Sequence, residues 1–251
     1  MGLFRFKGYA DGDRIEVAGA SVVLRVSARA SRVSLRLDAA RREIIATAPA
    51  RRLLGEAAAF AGERAGWISQ RLAELPQRAP IAPGAQIEVL GAPCILQTGP
   101  GRGRWRPADD AAPLTLVAPG EGEAFARAAV RLLKIEARRV LTERTEVHAA
   151  SLDRPMPVVS IMDARARWGS CRPPRTGGFG ATAEVGRIRY SWRLLLAPYP
   201  VMDYVAAHEC AHLIEANHSP RFWAVLRDLA GDPRPHRAWL RANGAKLHAF
   251  G

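Results

Sequence analysis

The chain has 251 residues, 48% hydrophobic and 24% charged, which supplies a core for one large or two small globular domains and excludes a disordered or fibrous protein. Lys and Arg total 37 against 24 for Asp and Glu, a formal charge of +13, and all the basic residues but Lys7, Lys134 and Lys246 are arginines. Such a field draws polyanions, so nucleic acid is a candidate partner through the basic surface, although the arginines are spread along the chain rather than gathered in one tract.

Three cysteines, Cys94, Cys171 and Cys210, lack the number and spacing of a disulfide framework. The leading "MGLFRFKGYADGDR" has no apolar run of signal-peptide length, and no stretch reaches the length of a membrane span. A cytoplasmic protein with no membrane partner is expected.

In chain order, "SVVLRVS", "SRVSLRLD" and "EIIATAP" alternate as strands, the last two joined at "AAR". Residues 51–75 then carry Leu54, Ala57, Ala61, Ile68, Leu72 and Leu75 at helical spacing, which predicts one amphipathic helix stopped by Pro76. "AQIEVLGAPCILQTG" predicts a hairpin and "APLTLVAP" another strand, with "GPGRGRWRPADDAAP" between them as an exposed loop whose Trp105 anchors on the core. No internal repeat stands out. From Ala124 to His148 there is neither Pro nor Gly, and Phe125, Ala128, Leu132, Ile135, Val140 and Leu141 form the apolar stripe of a long helix. "PVVSIMD", "ARARWGSC", "GGFGATAEV" and "RIRYSW" follow as strands. The change of regime near Gly120 predicts a β-rich N-terminal region over 1–120 and a second domain over 121–251.

The chemistry concentrates in "HECAHLIEANHSPRFW", which holds half of the six histidines. Pro200 suits the first turn of a helix, nothing breaks it before Glu215, and Asn217 suits the exit. Ser219 and Pro220 then make an N-cap and first position for a second helix buried through Phe222, Val225, Leu226 and Leu229. His208 and His212 are four apart, about 40° around a helix and about 6 Å along it, so both imidazoles face one side. His218 lies in the following turn, which can swing it back over that side. Three protein ligands leave a tetrahedral zinc ion one position for water, the pattern of a catalytic site, though imidazoles also suit nickel, cobalt or iron. Glu209, beside His208 in an HExxH pattern, is placed to take a proton from such a water and pass it to a leaving amine. Glu215 and Asp228 are rival third ligands. Glu215 reads better as a group orienting an imidazole, and Asp228 as a solvated residue.

"RWGSC" at 167–171 reads as a strand whose Trp168 packs on the HExxH helix, with Gly169 permitting close approach. Its functional alternative is a cleft lip that pairs with an extended peptide. Arg167 and Tyr190 are candidate oxyanion donors. Cys171 reads as a buried or partly exposed thiol, and His148, His236 and His248 as surface residues.

"ARWGSC" at 166–171, "WRLLLAP" at 192–198, "DYVAAHECAHLIEANHSPRFW" at 203–223 and "AWL" at 238–240 resemble the YgjP-like metallopeptidase-domain family, a zincin-like group related to SprT- and Wss-type metalloproteases. The likeness is strong over about residues 160–240 and looser over the N-terminal hairpin and the helix bearing Trp67. It implies an α+β fold, a zincin-like domain of backing helix, small mixed sheet and HExxH helix, preceded by the β-rich region. It carries over His208, His212 and His218 as metal ligands, Glu209 as catalytic acid/base, Zn2+ as cofactor and a peptide or protein as substrate. The sequence departs from the family at Cys210, where leucine is usual, in a longer segment from Pro173 to Gly186, and in "RIRYSW". Two other readings use the same residues: a metal-dependent nucleotide or phosphoester hydrolase, and a DNA-associated basic protein acting on DNA-bound or crosslinked proteins.

Overall fold

Residues 8–39, 41–77, 80–110, 112–164, 167–174 and 185–250 are described by a computed structural model. They form six helices and three mixed sheets, an α+β architecture divided into two compact units, Met1–Gln77 and Arg78–Gly251. The strand expected from "GGFGATAEV" lies almost wholly outside the described residues. Among the described residues no helix is long and apolar enough to cross a membrane.

In the first unit the alternating segments form β1 (Arg14–Val17), β2 (Ala20–Val26), β3 (Ser34–Asp38) and β4 (Glu43–Ala48), ordered β1-β2-β4-β3. The β1–β2 and β3–β4 pairs are antiparallel and β2–β4 is parallel. Val22, Leu24, Ile44 and Ala46 bury one face against Leu54, Ala57, Ala61 and Ile68. Those last four occupy the predicted helical stripe, but the helix is two: α1 (Leu54–Glu63) and α2 (Ala65–Ala73). Arg64 (φ −102°, ψ 20°) breaks them, its N–H shared between the carbonyls of Phe60 and Ala61 at 3.2 Å each. Gly62 and Gly66 flank the break and weaken helix continuation there.

The second unit opens with β5 (Gln86–Val89), β6 (Ala92–Thr98), β7 (Arg104–Arg106) and β8 (Leu114–Ala118), ordered β5-β6-β8-β7. Its hairpin, parallel central pair and antiparallel last pair repeat the first sheet strand for strand. The repeat reaches the turns. Ala18–Gly19 (φ 51°, 74°) and Leu90–Gly91 (φ 53°, 88°) are both two-residue loops with positive φ, the type I′ geometry that matches strand twist. "RIEVAGA" at 14–20 and "QIEVLGA" at 86–92 occupy equivalent places. The chain therefore contains a duplicated β-module, contrary to the expectation of no repeat. β7 also corrects the predicted loop: Trp105 pairs with Leu116 and packs on the core.

The chain divides after Gln77 rather than near Gly120, which lies between β8 and the next helix inside the second unit. Leu96, Leu116 and Ala118 of that sheet share one core with Phe125, Ala129 and Leu133 of α3 (Gly122–Ser151). Phe125, Val140 and Leu141 of the predicted stripe are buried, but between them the buried face of α3 runs through 129, 133 and 137, one or two residues on from the predicted 128, 132 and 135. Ile135 is accordingly exposed and His148 buried.

A three-stranded sheet of β9 (Val158–Met162), β10 (Gly169–Arg172) and β11 (Arg187–Ser191) follows, ordered β10-β11-β9, with β10 antiparallel and β9 parallel to β11. A buried 3-10 turn, Trp192–Leu196, leads into α4 (Tyr199–Ala211), then α5 (Pro220–Ala230) and α6 (Pro233–Ala249). α4 is enclosed by α3, α5, α6 and β10. Val201, Met202, Tyr204, Val205, Ala206, Ala207, Cys210 and Ala211 are all buried, so this helix is apolar around most of its circumference rather than amphipathic.

Residues 1–77 carry their own apolar core and are expected to fold alone. A cooperative far-UV circular dichroism melt of that fragment is the anticipated result; a gradual, non-cooperative loss of signal would show that the first module needs the second.

Candidate metal centre

Proline opens α4 at position 200, and the helix places His208 one turn before its end. His212 is the C-cap residue (φ −68°, ψ −13°), so it still faces the side His208 faces. The helix stops earlier than the predicted Glu215. Its last turn tightens to bonds from Leu213 N to the Cys210 carbonyl (2.9 Å) and from Ile214 N to the Ala211 carbonyl (3.1 Å). The loop is then pinned by Ser219, whose hydroxyl caps α5 by accepting from Phe222 N at 3.3 Å.

This turn brings His218 back to the helix. The candidate ligand atoms of His208, His212 and His218 all lie within 4.8 Å of one another, and the Nε2 atoms of His208 and His218 are 3.2 Å apart. Phe222, fully buried, underlies the three rings at centroid separations of 4.9, 4.5 and 4.7 Å. His212 Nδ1 sits 3.0 Å from the Glu215 carbonyl, which can only accept, so Nδ1 carries the hydrogen and Nε2 keeps its lone pair. Glu215 thus orients an imidazole, through its backbone rather than its carboxylate. Asp228 is exposed and outside the cluster.

Burial, followed by the neighbouring His212, His218 and Arg237, pushes the His208 imidazole down to about 3. Burial also lowers His212, partly opposed by its bond to Glu215. Both rings are therefore neutral near pH 7, the form that donates a lone pair to a metal. A tetrahedral ion with bonds of about 2.0–2.1 Å needs ligand nitrogens about 3.4 Å apart, close to the His208–His218 separation. The donor set fits one divalent ion.

Glu209 points into the same cleft, a cavity of about 270 Å3 lined also by Gly169, Ser170, Cys171 and the three histidines. Glu209 is 6% exposed as a residue and makes no hydrogen bond to a described residue. Burial pushes it up to about 8, against the pull of Arg167. Room for it comes from β10: a Cβ added to Gly169 would lie 2.6 Å from Glu209 Cδ and Cγ, so no larger residue fits without displacing the carboxylate. Burial likewise pushes the thiols of Cys171 and Cys210 up to about 12, and neither joins the imidazole cluster.

A family model described as YgjP-like, metallopeptidase domain matches residues 31–243. The chain belongs to that family. No curated protein and no solved structure matches it. The match runs through both modules, so in this YgjP-like chain the first unit is largely inside the family domain and not an unrelated addition.

Several residues around the YgjP-like site differ from their sequence reading. Tyr190 is fully buried with its hydroxyl 2.9 Å from Thr145 Oγ1, which removes it from the cleft lip. Trp168 stacks on His248 of α6 at 4.6 Å and approaches Gly244, so its ring packs on α6. His236 stacks on Tyr204 at 5.2 Å. His148 is buried with Nε2 2.7 Å from Asp203 Oδ1, which also accepts from Arg144 Nε at 2.7 Å. Asp203 thereby ties α4 to α3, and no local spacing announces a pair 55 residues apart. Burial alone would raise the Asp203 carboxyl, but its bonds from His148 and Arg144 outweigh that and hold it below its ordinary value.

Gly169→Ala is expected to leave metal content intact while lowering metal-dependent hydrolysis about a hundredfold, the scale of a reacting group misplaced by about 1 Å. A variant with wild-type rates would show that Glu209 does not need this space. Because the Asp203 carboxyl is depressed in the fold, its stabilisation is present above about pH 4, its unfolded value, and is lost as pH falls through the folded value. Urea titrations should show stability falling more steeply below about pH 4 in the wild type than in Asp203→Asn; equal slopes would contradict the tie.

Proposed function

We propose that this metallopeptidase-family chain is a zinc peptidase whose ion is held by His208, His212 and His218, with Glu209 as the catalytic acid/base. The observation that carries the reading is the meeting of three imidazoles at one point beside a buried carboxylate that makes no hydrogen bond to a described residue. Bound there, a zinc ion supplies Lewis acidity, which makes water acidic near pH 7 and polarises a carbonyl. Glu209, which a cation beside it would hold ionised against its burial, accepts the proton of the attacking water as the C–O bond forms, then delivers it to the amine nitrogen as the C–N bond breaks. Gly169 keeps the carboxylate in the cleft. Phe222 and the Ser219 cap hold His218 over the helix end.

A polypeptide substrate suits the wall of the cleft. Gly169, Ser170 and Cys171 belong to β10, which among the described residues has a strand partner on one side only, and an extended peptide can add along such an edge.

The test is cleavage of unfolded polypeptides by zinc-loaded protein beside Glu209→Gln and an EDTA-treated sample, with a nucleotide panel alongside. Cleavage should need both the metal and Glu209, with a loss of at least about a hundredfold in Glu209→Gln. Peptide cleavage that survives in Glu209→Gln, or metal-dependent phosphate release without peptide cleavage, would overturn the reading.

A further inference from the structure

Helix α6 brings two side chains to the metal centre that the proposed chemistry does not use. His236 stacks on Tyr204, whose ring is in turn 6.1 Å from His208. Arg237 lies with its guanidinium 5.1 Å from the Trp223 ring, and Trp223 is 5.9 Å from the His218 ring. Arg237 is thus seated by a cation–π contact one aromatic ring away from a proposed ligand. Its charge is felt at both His208 and Tyr204.

Arg237 is also uncompensated. One turn earlier, Arg234 is paired with Asp232 at 2.8 Å, but Arg237 makes no ion pair or hydrogen bond to any described carboxylate and is exposed. The contact with Trp223 takes none of its N–H donors, which are left to meet an anion. A planar fork of that kind matches a carboxylate with two parallel bonds. Arg237 does not line the cavity that holds Glu209, so it meets a part of the substrate beside the reacting bond rather than the bond itself.

The geometry points to a carboxylate-binding subsite at the rim of the metal centre, with Arg237, seated on Trp223, as its cation. Resting on the peptidase reading, this subsite selects polypeptides that place an acidic side chain or a free C-terminus next to the scissile bond.

Binding separates the subsite from catalysis. Zinc-loaded Glu209→Gln protein is titrated, by fluorescence anisotropy, with three labelled peptides: one with a central Asp and an amidated end, its Asn counterpart, and the Asn peptide with a free C-terminus. At least one carboxylate-bearing peptide should bind about fivefold tighter than the neutral one, the scale of a single partly screened ion pair, and the margin should shrink with salt. Which peptide gains tells side-chain from chain-end recognition. Adding Arg237→Gln should erase the margin, while Arg237→Lys, which keeps the charge but loses the fork, should retain part of it. Equal affinity for all three, no binding of any, or a margin that survives Arg237→Gln overturns the subsite. Failure of wild-type protein to cleave these peptides would count against the peptidase reading alone, since the binding comparison does not depend on turnover.

Discussion

Three imidazoles facing one point are the constraint on which the rest of the second unit turns. The rings are too close to carry three positive charges side by side, and desolvation drives the half-buried His208 far below its ordinary range. Left alone, their lone pairs would oppose one another across a few ångströms. A cation between them converts that opposition into ligation, so the arrangement favours the metal-bound state over any protonated alternative. The carboxylate beside them adds to this. A buried Glu209 without a hydrogen-bond partner is costly unless a positive group or water comes to it.

Much of the surrounding fold serves to hold that geometry. Helix α4 is apolar on nearly all sides because it runs through the middle of the unit, with α3 behind it and α5, α6 and β10 around it. Asp203, bonded to His148 and Arg144, fastens it to α3 half-way along. Phe222 supports all three rings from α5, and Ser219 fixes where α5 begins, hence where His218 sits. On the opposite wall the absence of a side chain at Gly169 lets a strand edge approach the carboxylate. One residue of β10 thus makes the room in which the Glu209 carboxylate sits.

What could be read from the sequence follows the range of the interactions. The HExxH spacing, the proline opening, the Ser219 cap and the return of His218 depend on contacts within a turn or two, and the sequence predicts them. Strands β2, β3 and β4 and the hairpin at 85–99 rest on alternation and were equally legible, whereas the four-residue β1 was not named. Contacts between distant segments were not. His148 reads as a surface residue until α3 is rotated by one position, which turns Ile135 outward and His148 in against Asp203. Trp168 could be seen to need a partner, but not that the partner is His248. The duplicated module escaped because its sequence likeness is confined to a few residues around Gly19 and Gly91, while the rest is carried by strand order. Its first copy is also why the chain divides after Gln77: that copy closes its own core with α1 and α2, while the second shares its core with α3, so the change of composition near Gly120 marks a sheet passing into a helix inside one unit.

The central claim is that one ion is held by three imidazoles with nothing but solvent at its remaining position. X-ray absorption at the zinc edge, on protein purified without a histidine tag, measures this directly. The account predicts about one zinc per chain surrounded by light atoms at about 2.0–2.1 Å, with outer-shell scattering that fits three imidazoles. A sulfur ligand near 2.3 Å, from Cys171 or Cys210, or a best fit with fewer than three imidazoles, would contradict it.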